Sequence, residues 1–206
     1  MANNTVKFTK PYTFEGKEYK ELELPGLNTM TVADLIEIQK TLNNRGERAA
    51  ATIMETSTAF VIEMGVKASG KPVEFFKLMP RARIKEAQAE IIKSLNSNYE
   101  EEDVKAHVLR FASPYTYEGK AKAEIAGQTF ESVDLSGVGE LNAMSESTAE
   151  NRMTAAGFAA MNTGRNYLYA VIIASMGSGY PEDFFTGLPL CEAVKLRDVV
   201  DADFFA

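Results

Sequence analysis

Histidine and cysteine occur once each in this chain, as His107 and Cys191, and tryptophan does not occur at all. A single imidazole excludes histidine pairs for acid–base work and His-rich metal sites. Ser-His-Asp and Cys-His arrangements would both need His107, which has no activating context and reads as a surface residue. One cysteine excludes an internal disulfide and fits a reducing compartment. Cys191 follows Leu188-Pro189-Leu190 at the start of an apolar helix. It reads as a buried structural thiol, with a reactive thiol at a helix N-terminus as the sharper alternative.

A basic excess is missing too. The net charge is −7, with 14 basic against 16 acidic residues through Asp103 and 8 against 13 beyond it. Without a basic stripe or tryptophan platforms, no nucleic-acid partner is expected. The longest apolar run, Tyr167 to Ala174, is too short to cross a bilayer, and Met1 to Phe8 lacks the apolar stretch of a signal peptide. A cytoplasmic protein with no membrane partner is expected. Gly137-Val138-Gly139 is not a phosphate loop, because position 142 is Asn and no strand–glycine–helix fingerprint follows. The carboxylates form no cluster that suggests a metal site or an acid–base couple. No enzyme, cofactor or metal is expected.

What the chain does contain is itself, twice. Phe8 to Lys17 reads FTKPYTFEGK and Phe111 to Lys120 reads FASPYTYEGK. Ser69-Gly70-Lys71-Pro72 leads through Phe75-Phe76 to Pro80, and Ser178-Gly179-Tyr180-Pro181 leads through Phe184-Phe185 to Pro189. Six of the seven prolines fall into pairs: Pro11 with Pro114, Pro72 with Pro181, Pro80 with Pro189. A period near a hundred residues is too long for a solenoid unit and suits a domain. The fold class expected is therefore α+β in two homologous domains, residues 1–98 and 107–206, joined by a linker at 99–106. Each would open with a β-hairpin or small antiparallel sheet and continue into three to four helices.

Local patterns place the elements. Glu15-Gly16-Lys17 signals a turn, and the alternation through Tyr19 to Leu24 argues for a half-exposed strand ended by Pro25-Gly26. Thr31 with Asp34 predicts a helix start, and Leu35, Ile38, Gln39 and Leu42 its inner face. A second helix is predicted from Glu47 towards Ala68, with Ile53, Phe60 and Met64 inward. Pro72 and Pro80 suit the first turns of new helices, and Ile84, Ala87, Ile91 and Leu95 form an amphipathic stripe. The segment Asn96 to Asp103, with four consecutive acids, reads as solvated linker. In the second unit the offset between copies grows from 103 at Phe111 to 111 at Phe130, and residues 121–127 read as a lengthened hairpin. Helices are predicted over 144–161 and 165–176, followed by a short turn at 181–185 and a helix over 189–204. In the last of these, Ala193, Leu196, Val200 and Phe204 repeat the stripe.

The doublets Phe75-Phe76, Phe184-Phe185 and Phe204-Phe205 are the candidate partner-binding residues. Packing is the default reading, because aromatic rings dominate cores. The sharper one gives each doublet an outer ring, Phe76 and Phe185 above all, in a patch for a partner helix or for self-association.

The pattern resembles the tail assembly chaperones of long-tailed bacteriophages. Their Pro-x-x-x-x-Gly-Lys hairpin, Tyr-x-Glu-Leu strand and Leu-Thr-x-x-Asp-Leu helix start are similar to Pro11–Lys17, Tyr19–Leu22 and Met30–Leu35 here. Glu55–Phe60, Gly70-Lys71-Pro72, Met79-Pro80 and the stripe to Leu95 resemble the rest of the unit. So do Asn166-Tyr167-Leu168, Gly179-Tyr180-Pro181, Leu188-Pro189-Leu190 and Phe204-Phe205. Such proteins commonly carry one unit; this chain carries two, and its second replaces Thr-x-x-Asp with Asn142-Ala143-Met144-Ser145. The resemblance implies a protein of the host cytoplasm that binds the tape measure protein and yields it to tail tube protein, with self-association a further option. A structural subunit of a phage tail or virion-like apparatus is the alternative. An enzyme or ligand-binding protein with a pocket between the copies is a third class.

Overall fold

The computed structural model describes residues 4–47, 50, 54–158 and 163–202. Strands β1 (Thr5–Phe14) and β2 (Lys17–Glu23) form an antiparallel hairpin. Its two-residue turn has positive φ at Glu15 and Gly16, the backbone hand that suits a tight hairpin. Helices α1 (Val32–Asn44), α2 (Thr58–Ser69), α3 (Val73–Lys77), α4 (Arg81–Leu95) and α5 (Glu101–Lys105) follow. A second hairpin, β3 (Val108–Thr116) with β4 (Thr129–Asp134), leads to α6 (Ala143–Ala155), α7 (Tyr167–Ser178), α8 (Glu182–Thr186) and α9 (Ala193–Ala202). The architecture is α+β: two small antiparallel two-stranded sheets and, among the described residues, nine helices.

The halves share more than element order. Each hairpin ladder breaks register around its proline, between Lys7 and Tyr12 and between Arg110 and Tyr115. Proline has no N–H for the ladder, so the strand must bulge there. The Ser57 hydroxyl accepts from the Phe60 N–H to cap α2, and the Asn166 amide oxygen accepts from the Tyr169 N–H to cap α7. Both helices end on a left-handed glycine, Gly70 (φ 68) and Gly179 (φ 72). Beside each, a serine hydroxyl folds back to the helix carbonyl four residues earlier: Ser69 to Gly65, Ser178 to Ala174.

Several boundaries differ from expectation, each for a local reason. The predicted helix from Glu47 to Ala68 is interrupted before Ser57, whose side chain starts α2 afresh. Ile53 lies outside the described residues. The helix predicted over 144–161 stops at Ala155, and Gly157 turns the chain at φ 93. Asn142 replaces the threonine cap effectively, accepting from the Met144 and Ser145 N–H groups. The segment read as a lengthened hairpin adds no strand: Ala123–Ile125 form a short 3-10 turn, and Tyr117 closes the loop through two backbone bonds, to Gln128 and Gly127.

Buried apolar side chains of both halves join in one cluster. Ile84, Ala87, Ile91 and Leu95 of α4 and Ala193, Leu196 and Val200 of α9 all point into it. Backbone crosses between the halves as well. The Val32 N–H donates to the Leu188 carbonyl and the Leu190 N–H to the Met30 carbonyl, both at 3.0 Å, around a bridge of Thr31 with Pro189. The acidic segment read as solvated linker is exposed at Glu100–Glu102, but it folds into α5 and buries Asp103.

Candidate functional site

The predicted partner-binding rings lie inside. Phe75, Phe76, Phe184 and Phe185 are at most 1% exposed, so none offers an outer ring in this conformation. A five-residue helix between two prolines leaves the doublet no solvent face: one ring meets the hairpin and the next meets the preceding long helix. Phe75 contacts Tyr12, Phe14 and Tyr19 with centroids 5.0–5.3 Å apart, and Phe184 contacts Tyr115, Phe130 and Tyr180 at 4.9–5.2 Å. Phe76 lies so close to Gly65 that a Cβ there would strike its ring. Such edge-on clusters pin hairpin to helices. Phe204 and Phe205 lie outside the described residues.

The chemically conspicuous groups sit instead on the seam between the halves. Gln39 of α1 donates through Nε2 to the Arg165 carbonyl at 2.9 Å and accepts from the Tyr167 N–H at 3.1 Å. The Tyr167 hydroxyl donates to Glu55 at 2.6 Å, and the Arg197 guanidinium, only 4% exposed, pairs with Glu55 and with Asp198. A second knot lies at the other side of α9. Lys195, 1% exposed, holds Asp103 at 3.0 Å, and Asp103 also pairs with Arg110. Glu192 accepts from the Ala112 N–H and the Asn98 amide, each at 2.8 Å.

Surroundings push these carboxyls in different directions. Burial alone would raise Glu55, but the Arg197 charge and the Tyr167 hydroxyl outweigh it and hold the group below its usual range. Glu192 is raised: burial exceeds what the Ala112 N–H, Asn98 and Lys195 return. Burial and the adjacent Glu192 push the Cys191 thiol up to about 11. Cys191 is half-buried, and a thiol raised in this way and donating to Glu192 is held towards its protonated form, which argues against the reactive-cysteine alternative.

A cleft of about 210 Å³ opens on the seam, lined by Asn4, Asn28, Glu90, Lys93, Leu190 and Cys191. It holds no convergent set of catalytic groups: the Lys93 ammonium already lies 3.3 Å from Glu90, and the Asn4 amide donates to Asn28. Among the described residues, no three His, Cys, Asp or Glu side chains gather to hold a metal, and no helix is long and apolar enough to cross a membrane. The buried charges of the seam are used up on one another. The chain matches no known protein family, no curated protein and no solved structure.

Sequence reasoning missed the seam. Lys195 and Arg197 flank Leu196 on a helix that buries nearly every residue from Ala193 to Val200. Two cations within such a stretch are the one signal that could have marked them as buried pairs.

Proposed function

We propose that the protein is a tail assembly chaperone of a long-tailed bacteriophage, built as a tandem duplication of the usual single unit. It acts without catalysis in the host cytoplasm, binding the tape measure protein and releasing it to tail tube subunits. The observation that carries the reading is the repeated unit itself: hairpin, capped helix, Gly-x-Pro break and final helix, in the order the resembled family uses, with matching caps in both halves. The polar seam, whose buried charges are paired within the fold, is consistent with a holding role over a chemical one. Two linked units raise avidity for a long repetitive client without new kinds of contact.

Co-expression with the tape measure protein encoded beside it tests this reading. A soluble complex that co-purifies is expected. A tape measure chain that stays insoluble, with no complex, overturns it. Stoichiometric presence of the protein in purified particles would favour the structural-subunit alternative.

A further inference from the structure

The two halves differ at one place where their frameworks agree. In the second half, Phe130 of β4 is covered by the chain's own Tyr180, with centroids 5.5 Å apart, and both rings rest on Phe184. The long β3–β4 connection then closes over them. Its Tyr117 hydroxyl donates to Asp183 at 2.7 Å, and Lys122 reaches the Gly179 carbonyl at 3.0 Å while lying over the Tyr180 ring.

In the first half that cover is missing. Tyr19 of β2 takes the place of Phe130 and rests on Phe75 at 5.0 Å, but Lys71 stands where Tyr180 stands in the repeat, and a tight turn replaces the closing loop. An open groove of about 370 Å³ results, running along β2 from Lys17 past Tyr19 to Glu21 and Glu23. Two ammonium groups, Lys17 and Lys71, each lie 5.1 Å from the Tyr19 ring centre. Among the described residues neither has a carboxylate within ion-pair reach, although Glu21 and Glu23 line the same groove further along, so the two like charges share one ring with no direct ion pair. Among the described residues, the strand itself pairs only with β1.

We propose that this groove binds an extended segment of a partner protein that carries an aromatic side chain beside a carboxylate. The guest ring replaces the Tyr180 cover on the aromatic cluster, and the carboxylate neutralises Lys17 and Lys71. Backbone hydrogen bonding along β2 is the matching main-chain element. Glu23 lies four residues beyond Tyr19, about 13 Å along the strand, so the guest's far end is basic or neutral there. This site stands apart from the chaperone reading and holds whether or not that reading does.

Fluorescence anisotropy with the purified full chain tests it. The probe is a labelled peptide Asp-Phe-Asp-Gly-Lys-Gly, compared with the charge-reversed Lys-Phe-Lys-Gly-Asp-Gly and the ringless Asp-Ala-Asp-Gly-Lys-Gly. The first is expected to bind saturably and each comparison peptide about tenfold more weakly. The variant Lys71→Tyr, which copies the second half's own cover, is expected to weaken binding of the probe by about tenfold. Lys71→Gln, a milder change, is expected to weaken it in the same direction, and thermal melting checks that both variants stay folded. Absent saturable binding, equal affinity for the charge-reversed peptide, or binding unmoved by both folded variants overturns the proposal.

Discussion

Glu55 and Glu192 are both seam carboxylates, yet they meet different surroundings. Glu55 faces a guanidinium and a hydroxyl donor; Glu192 faces a backbone N–H, an amide and a more remote ammonium. With a folded-state pKa below the unfolded value of about 4.3, Glu55 contributes stability that is present above that pH. The contribution is lost as pH falls through the lower folded value. With a folded-state pKa above the unfolded one, Glu192 behaves oppositely: the fold is favoured below about pH 4.3 and loses that share as pH rises through the raised value. Glu55→Gln is therefore expected to lose about 2 kcal/mol at pH 7, with the difference holding down to about pH 4.3 and shrinking only below it. Glu192→Gln keeps an acceptor for Ala112 and is expected to match or exceed the parent at pH 7, the advantage shrinking towards pH 4. Urea melts between pH 2 and 8 read both, and a Glu192→Gln variant that is weakest at neutral pH contradicts the assignment. Cys191 follows from the same neighbourhood. A thiol held near 11 should label with a neutral thiol reagent at pH 8 about a hundredfold more slowly than a free cysteine.

At the scale of elements, the clearest constraint is where each post-hairpin turn crosses a helix end. A Cβ on Gly26 would stand 2.7 Å from the Ala68 Cα, and one on Gly137 would meet the Gly177 carbonyl oxygen. In both cases the obstacle is backbone, which cannot swing aside as a side-chain tip can. Gly26→Ala and Gly137→Ala are each expected to destabilise by about 1–3 kcal/mol. Removing a cap acts more weakly: Ser57→Ala and Asn166→Ala are each expected to lose about 1 kcal/mol. Thermal denaturation of the four variants checks the ranking, and glycine variants as stable as the parent would contradict the tight crossing. Much of this scale was legible in the sequence because its determinants are local. The hairpin turn at Glu15-Gly16, the Thr31–Asp34 start and the α4 stripe each lie within a single short stretch of chain. The break before Ser57 was not, since an apolar helical pattern runs on either side of it and one hydroxyl decides. The 121–127 segment alternated like a strand, but the bonds from Tyr117 to Gln128 and Gly127 close it as a loop.

On the scale of the whole molecule, the decisive contacts join residues far apart in sequence. Glu55 meets Arg197, Asp103 meets Lys195 and Gln39 meets Tyr167, and no pattern within one segment encodes such a pairing. That is why the seam stayed hidden while the hairpins and helix stripes did not. It also couples the halves physically, since a buried charge left without its partner destabilises whichever side keeps it. Arg197→Met in α9 strands Glu55 beside the first half and is expected to lower stability by about 3 kcal/mol. Glu55→Met added to it removes the stranded charge and should recover most of that loss, because a well-packed apolar pair can substitute for a buried ion pair. Hydrogen exchange shows how far the effect reaches. Amides at Leu22 of the first hairpin and Val133 of the second lie in ladders on opposite sides of the seam. Because one apolar cluster spans both halves, they are expected to exchange through the same global opening and to lose equal protection in Arg197→Met. If the first hairpin keeps its protection while the second loses it, the halves open independently, and the seam joins two units that fold on their own.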